Sequence, residues 1–242
     1  MSFLTIAQDV LIAVDFPSPS NAFANNDPAV KKVRRSIESS SYALARVNAW
    51  KTMRGEQTFT SLAAEVQTGI LPAGFDRFIP ETFWNRTDKN LVIGPITEVE
   101  WASLKAYGYA DTSRPKFIQR GNTVASSILM IPAPSAGKTF AFSYVNSYFC
   151  QSSSGTTQSA WAADTDVARL NPELVTLGAI SDFLWMEGMN HEKADSDFED
   201  LFNLLVKNDN PRARAMSCGD IFGSRRHFTG SPASTGNYNM TS

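Results

Sequence analysis

The apolar residues of this 242-residue chain change their spacing twice, which restricts the folds open to it. They recur at helical intervals near the N-terminus, fall into short alternating runs in the middle, and return to helical intervals near residue 172. We therefore predict an α+β fold, an antiparallel helical bundle with an inserted β-rich domain and an extended C-terminal tail. The predicted bounds are 1–55 with 166–216 for the bundle, 56–165 for the β-rich domain and 217–242 for the tail.

Two helices are predicted before the β-rich domain, and the first spans residues 5–14. The pair Asn26-Asp27 can cap the second helix, and Pro28 suits its first turn because the missing N–H costs no hydrogen bond there. Apolar residues then recur as far as Trp50, which we expect to be buried. This helix is expected to end near Arg54.

Short apolar or alternating runs, separated by Pro, Gly, Asn and Asp, indicate strands through the middle of the chain. The predicted strands span residues 65–71, 77–79, 116–120, 127–131 and 139–149, and a short helix spans 97–107. Two more helices follow, one from Pro172 to about Gly188 and one capped by Asn190. Acidic residues such as Asp195 are expected on the solvent side of the last helix.

The charge balance argues against a protein that reads DNA sequence. The chain has 22 Lys and Arg against 24 Asp and Glu, a net charge of -2, so it offers no broad attraction to nucleic acid. Cys150 and Cys218 lie far apart and lack the spacing of a zinc or redox motif, which indicates reduced structural thiols. We find no pattern typical of a signal peptide or a membrane-spanning helix, and we predict no membrane partner and no cofactor.

The segment 132–139 (PAPSAGKT) ends like a phosphate-binding loop. Pro132 stands in place of the first glycine of that motif, and Thr139 begins an apparent strand where the motif requires a helix. An ordinary hairpin turn is the better interpretation. Lys138 is therefore not assigned to nucleotide chemistry.

His191 has no second histidine at the spacing of a zinc-protease helix, so we assign no metal ligand and no catalytic residue. The acidic residues leave one alternative function open. A hydrolase could use carboxylates such as Glu81, Asp164 and Asp166, although the two aspartates also suit a turn before a helix.

A second alternative is a carbohydrate-binding or receptor-binding module. It rests on Trp84, Trp101 and Trp161, whose rings could stack on sugars. Buried anchors explain these rings better, and an exposed row of two or more of them would reverse that interpretation.

Seven segments, taken in order, form a pattern that covers most of the chain. They are the helix around 37–50, then 75–86 (FDRFIPETFWNR), 93–97 (IGPIT), 100–105 (EWASLK), 117–122 (FIQRGN), 132–144 (PAPSAGKTFAFSY) and 164–166 (DTD). Their order and spacing are specific as a set. Together they resemble the adaptor, or head-to-tail connector, family of short-tailed bacteriophages.

The resemblance implies a structural virion protein and not an enzyme. In that context the two alternatives above would be a virion-associated hydrolase and a carbohydrate-binding or receptor-binding tail module. Such adaptors are helical bundles with an inserted β domain, and they assemble as a ring of twelve subunits beneath the portal protein. The ring joins the portal to the tail nozzle or other tail proteins, stabilises packaged DNA and lines the channel through which double-stranded DNA is ejected. The implied location is the neck of the virion, after assembly in the host cytoplasm.

The predicted tail supplies the candidate contact residues. Residues 217–242 are rich in Gly, Ser and Asn and contain few aliphatic residues, so they cannot form a core alone. Their order must come from a partner. Phe222, Arg225, Arg226 and Phe228 are the candidate anchors on the portal or on a neighbouring adaptor, because buried rings and paired arginines contribute strongly at interfaces.

Overall fold

The computed structural model describes residues 1–121 and 126–209. It has the α+β fold that the sequence predicts, with helices and several antiparallel sheets. The chain divides into two compact units. The β-rich unit consists of residues 1–5 and 48–172, and the described part of the helical unit consists of residues 6–47 and 173–209.

The described residues form five α-helices and eleven strands. The helices are α1 (Phe3–Ala13), α2 (Pro28–Val47), α3 (Glu98–Ala106), α4 (Pro172–Met186) and α5 (Glu192–Asp209). The strands are β1 (Arg54–Thr60), β2 (Val66–Gln67), β3 (Phe75–Phe78), β4 (Trp84–Asn85), β5 (Asn90–Leu91), β6 (Lys116–Arg120), β7 (Ser127–Ile131), β8 (Thr139–Asn146), β9 (Cys150–Gln151), β10 (Thr157–Gln158) and β11 (Val167–Ala168). Within this part of the chain, no helix is long and apolar enough to cross a membrane.

Helix α2 begins as the sequence predicts. The Asp27 carboxylate accepts a hydrogen bond from the backbone N–H of Ala29 (2.8 Å), and Pro28 occupies the first turn. The buried face includes serines as well as aliphatic residues. Ser41 donates a hydrogen bond to the Ile37 carbonyl (2.7 Å), so this buried hydroxyl is satisfied within the helix.

The prediction that this helix extends to Arg54 is wrong. Helix α2 ends at Val47, and β1 pairs along its whole length with β8. Gly55 favours the change, because glycine is a poor helix former and leaves room for the Tyr144 ring against the backbone. A Cβ atom at Gly55 would lie 2.7 Å from that ring. A boundary between residues 55 and 56 thus falls inside β1, while Trp50 is buried as predicted.

Two sheets of the β-rich unit pack face to face on a cluster of phenylalanines. The first sheet has the strand order β1-β8-β4-β5, with β3 also paired to β8, and the second has the order β2-β7-β6. Because side chains alternate along a strand, Phe140 and Phe142 point inward with Phe59 from the first sheet, and Phe117 points inward from the second. The ring centroids of Phe83 and Phe117 lie 4.8 Å apart.

Strands β6 and β7 have the predicted bounds, whereas β2, β3 and β8 are shorter than predicted or shifted. The hairpin prediction for residues 132–139 is wrong. Strand β7 pairs with β2 and β6, and β8 pairs with β1, β3 and β4, so the turn connects two different sheets. Although β7 and β8 are neighbours in sequence, β8 pairs instead with β1, which lies some eighty residues earlier in the chain.

Helix α5 is capped by Asn190, as predicted, through a hydrogen bond to its side-chain oxygen from the backbone N–H of Glu192 (3.0 Å). The prediction that Asp195 lies on a solvated face is wrong. Its carboxylate accepts a hydrogen bond from the buried Ser181 hydroxyl of α4 and lies 2.8 Å from His191 Nδ1. The Asp195 carboxylate lies between Ser181 and His191. In a hydrolytic triad the imidazole lies between the serine and the carboxylate, so these three residues do not form one.

Replacing Gly178 by Ala should destabilise the helical unit. The added Cβ atom would lie 2.3 Å from Ser40 Oγ and 3.0 Å from the Phe198 ring. Overpacking of this kind costs about 1 to 3 kcal/mol, which should appear as a lower urea midpoint in circular dichroism. The double variant Gly178→Ala with Ser40→Ala should recover part of the loss, because the nearest clashing atom is removed. No recovery in the double variant would contradict this packing.

Candidate functional site

The predicted contact residues Phe222, Arg225, Arg226 and Phe228 belong to the segment 210–242 and lie outside the described residues. Their role stays a prediction. The described residues contain other groups that bear on function, at Lys138, at the acidic residues, at Cys150 and on the outer faces of the β-rich unit.

Lys138 is held by an acidic neighbour. Its ammonium lies 2.7 Å from the Asp88 carboxylate and holds the pKa of Asp88 below its ordinary value, and Asn85 donates a further hydrogen bond to this carboxylate (2.8 Å). The preceding loop is fixed by buried Ser61, which donates to the Ser135 carbonyl (2.6 Å) and accepts from the Lys138 N–H (3.1 Å). Hydrogen bonds thus attach the loop to Ser61, the residue that follows β1 of the first sheet.

Lys138→Ala should leave phosphate release from ATP or GTP by the purified protein unchanged. The ammonium is paired with Asp88, and the loop leads into β8 where a phosphate-binding loop requires a helix. The variant should also raise the pKa of Asp88 toward its ordinary value, which an NMR titration of the side-chain carboxyl would detect. A nucleotide turnover that this substitution abolishes would overturn the assignment of the loop as a structural turn.

The carboxylates considered for a hydrolase are not gathered in one cleft. Glu81 lines an open cleft on the first sheet together with Glu56, which the sequence analysis missed, whereas Asp164 and Asp166 precede β11. Asp166 is buried, and its carboxylate accepts hydrogen bonds from the backbone N–H groups of residues 162 and 163 (2.7 and 2.9 Å). This use of Asp166 stabilises a turn.

Cys150 is a fully buried free thiol in a third sheet of strand order β10-β9-β11. It donates a hydrogen bond to the Ala160 carbonyl at 3.3 Å. Burial raises the pKa of Cys150 to about 12, with a smaller increase from the charge of Asp166 and an opposing decrease from Arg169. The thiol is structural, as predicted, while Cys218 lies outside the described residues.

This thiol should make the stability of the protein fall as the pH rises above about 9. An unfolded cysteine loses its proton near pH 9, whereas the folded thiol keeps it to about pH 12, so deprotonation favours the unfolded chain between these values. The limiting slope is about 1.4 kcal/mol per pH unit. Urea unfolding of the wild type and of Cys150→Ala at several alkaline pH values should show this slope as a difference. Parallel profiles would contradict the raised pKa.

Two of the three tryptophans considered for sugar stacking are buried, since Trp101 is 4% and Trp161 is 6% exposed. Trp84 is 45% exposed. The buried-anchor interpretation is therefore right for two rings and wrong for the third. These three rings form no exposed row of the kind that would favour a carbohydrate-binding face.

An open cleft of about 480 Å³ lies beside Trp84 on the outer face of the first sheet. Trp84 pairs with Ala141 across the strands, so the ring stands next to a small residue. Arg86 forms an ion pair with Glu56 of β1 (2.8 Å), and Lys89 also lines the cleft. The cleft thus combines an exposed aromatic ring, a small residue and charges of both signs.

Helix α3 lies against the outer face of the second sheet. Trp101 and Leu104 pack there with Ile118 and Leu129, whose chain neighbours point into the core on the other side. The helix begins at Thr97, whose hydroxyl accepts a hydrogen bond from the N–H of residue 100 (3.2 Å). The β-rich unit therefore carries α3 on one outer face and the Trp84 cleft on the opposite outer face.

The side of α3 that points away from the sheet is uncharged. It consists of Val99, Ala102, Ser103 and Ala106, followed by Tyr107, and all five are exposed. We call these residues the neutral face of α3. The sequence analysis missed it, although the spacing of residues 99, 102, 103 and 106 is the signal of one helix face.

The chain matches no protein-family model and no curated protein sequence. In residues 1–121 and 126–209, no group of three or more His, Cys, Asp or Glu side chains is placed to hold a metal ion. The exposed neutral face of α3 and the Trp84 cleft, on the two outer faces of the β-rich unit, are the candidate functional site.

Proposed function

We propose that this chain is a structural subunit of a tailed-phage particle, an adaptor whose ring joins the portal to the tail and lines the DNA exit channel. The proposal is supported by the ordered series of segments between residues 37 and 166 that resembles the adaptor family. The proposed architecture is an antiparallel helical bundle of residues 1–55 and 166–216, an inserted β-rich domain of residues 56–165 and an extended tail of residues 217–242.

The observation that carries the proposal is the order of elements along the chain. Helices α1 and α2 precede the strands, and α4 and α5 follow them. Residues 6–47 and 173–209 belong to one compact unit, although 125 residues of the other unit, 48–172, separate them in sequence. An inserted β domain of this kind is what the resemblance to adaptors implies.

Two physical features favour a role in an assembly. Large apolar side chains such as Val99, Tyr107 and Trp84 are exposed on the β-rich unit, and exposed apolar surface often marks a protein interface. The net charge of -2 suits a channel through which DNA must pass, because a strongly basic lining would retain phosphates.

Deleting residues 217–242 should spare folding and weaken attachment to the portal. The Gly-rich segment offers too little apolar area to offset about 1 to 2 kcal/mol of backbone entropy per residue, so its order must come from a partner. Circular dichroism melting should be unchanged, whereas co-sedimentation with purified portal rings should fall. In the full-length chain, the double substitution Arg225→Ala with Arg226→Ala should lower the affinity for portal rings, measured by co-sedimentation, by about tenfold.

A matched control for the arginine variant is Ser231→Ala with Ser234→Ala, which changes the same segment without removing a ring or a charge. Unchanged co-sedimentation after the deletion would reject the docking role of the tail. A collapsed melting curve would show that the tail belongs to the fold. Wild-type protein that does not bind portal rings at all would overturn the proposed function itself.

A further inference from the structure

We propose that copies of this chain associate head to tail, with the neutral face of α3 on one copy packed into the Trp84 cleft of the next. The proposal rests on the ring that the proposed adaptor function requires, and it assigns the two surfaces that build this ring. The partner is a second copy of the same chain.

The neutral face is uncharged because the charged side chains of α3 all point toward the β-rich unit. The helix has three charged residues, and all three form ion pairs with residues of the β-rich unit beside it. Glu98 lies 3.2 Å from Arg120, Glu100 lies 2.8 Å from Lys116, and Lys105 pairs with Glu65. The solvent side of a surface helix ordinarily carries charged side chains, and here none is present.

The shape of the neutral face suits a protruding ring. Ala102, Ser103 and Ala106 are small, and they lie between the larger Val99 and Tyr107, which are 82% and 88% exposed. Residues three and four apart on a helix are neighbours, about 5 to 6 Å between Cβ atoms, so the small side chains leave a hollow on this face. An aromatic ring can enter such a hollow and contact the helix closely.

The Trp84 cleft supplies the complementary surface. Trp84 is an exposed ring beside the small residue Ala141, and the open volume of about 480 Å³ can receive side chains such as Val99 and Tyr107. Tryptophan and tyrosine, together with arginine, are enriched among the strong contacts of protein interfaces. The neutral face of α3 thus offers Val99 and Tyr107 to the cleft, and the cleft offers Trp84 to the hollow on the neutral face.

Charge at the rims agrees with this pairing. Lys89 lines the cleft and forms no ion pair with any residue in the described ranges. At the start of α3, the Glu98 side chain remains 64% exposed even though it contacts Arg120. The cleft carries charges of both signs, with Glu81 and the Glu56–Arg86 pair beside Lys89. A contact between Lys89 of one copy and Glu98 of the next would favour the correct orientation of the partners, mainly by guiding the encounter.

The two surfaces lie on opposite outer faces of one sandwich, and this placement selects the symmetry. A contact between two different patches leaves one patch unused on each copy, the cleft on one and the α3 face on the other, so a third copy can add and a ring can close. A contact between two copies of the same patch would stop at a dimer. Head-to-tail pairing is therefore the arrangement that a ring needs.

A cross-linking experiment tests the pairing directly. In a Cys218→Ser background, Ser103→Cys marks the neutral face and Lys89→Cys marks the cleft, while Cys150 stays buried. A short bismaleimide should link a mixture of the two variants into dimers and leave each variant alone unlinked. Cross-linking of Ser103→Cys alone would overturn the proposal, since it would show that like faces meet.

Single substitutions test the energetics in the full-length chain. Val99→Glu and Trp84→Ala should each weaken self-association by at least about tenfold in sedimentation experiments. Leu204→Glu is the matched control, because Leu204 is an exposed apolar residue on α5 of the other unit and should leave association unchanged. Equal effects of all three substitutions would contradict the assigned surfaces.

The same mixture, added to portal rings, separates this inference from the proposed function. Portal binding without mixed cross-links, free or on the ring, would overturn the head-to-tail pairing and leave the adaptor role standing. Mixed cross-links without portal binding would support the pairing and reject the adaptor role. Absence of both would overturn both proposals.

Discussion

The phenylalanine cluster between the two sheets is the interaction on which the β-rich unit depends. The ring centroid of Phe83 lies 4.8 Å from that of Phe117 in the second sheet and 5.4 Å from that of Phe142 in the first. Phe59 stacks on Phe140 with a centroid distance of 5.5 Å. Aromatic pairs contribute about 0.5 to 1.5 kcal/mol each beyond the area they bury. The cluster also fixes the register. A slip of one residue in β8 would turn Phe140 and Phe142 outward.

The exposure of Trp84 follows from this register. Its chain neighbour Phe83 lies in the core, and Asn85 pairs with Phe140 on the inner side. Because side chains alternate along a strand, the residue between them must face outward beside Ala141. The same rule acts in the second sheet, where Phe117 points inward and Ile118 points toward α3.

The sequence predicted best those strands that are buried on both sides. Strand β7 reads as an apolar run at residues 128–131 because the core covers one face and α3 covers the other. Strand β1 escaped prediction because, apart from Phe59, Arg54–Thr60 is built of polar residues and glycine and is largely exposed. Its pairing with β8, some eighty residues later, has no local signal. The hairpin error at residues 132–139 has the same cause.

The candidate site was predictable only in part. The spacing of Val99, Ala102, Ser103 and Ala106 is visible in the sequence, but which side of α3 packs on the sheet depends on tertiary contacts of Trp101 and Leu104. Likewise, the sequence names Trp84 as an aromatic residue but cannot tell an outward ring from an anchor. The alternation that decides this depends on a strand of two residues, too short to show a period.

The composition of the neutral face still needs a physical cause. Valine is a poorer helix former than glutamate or lysine, so helix propensity does not favour it in the first turn of α3. At 82% exposure, Val99 gains little from burial within its own chain. The burial of Trp101 and the ion pairs at Glu98, Glu100 and Lys105 hold the helix without it. Stability of the single chain therefore does not account for an uncharged outer face, whereas the contact with a second copy that we propose would account for it.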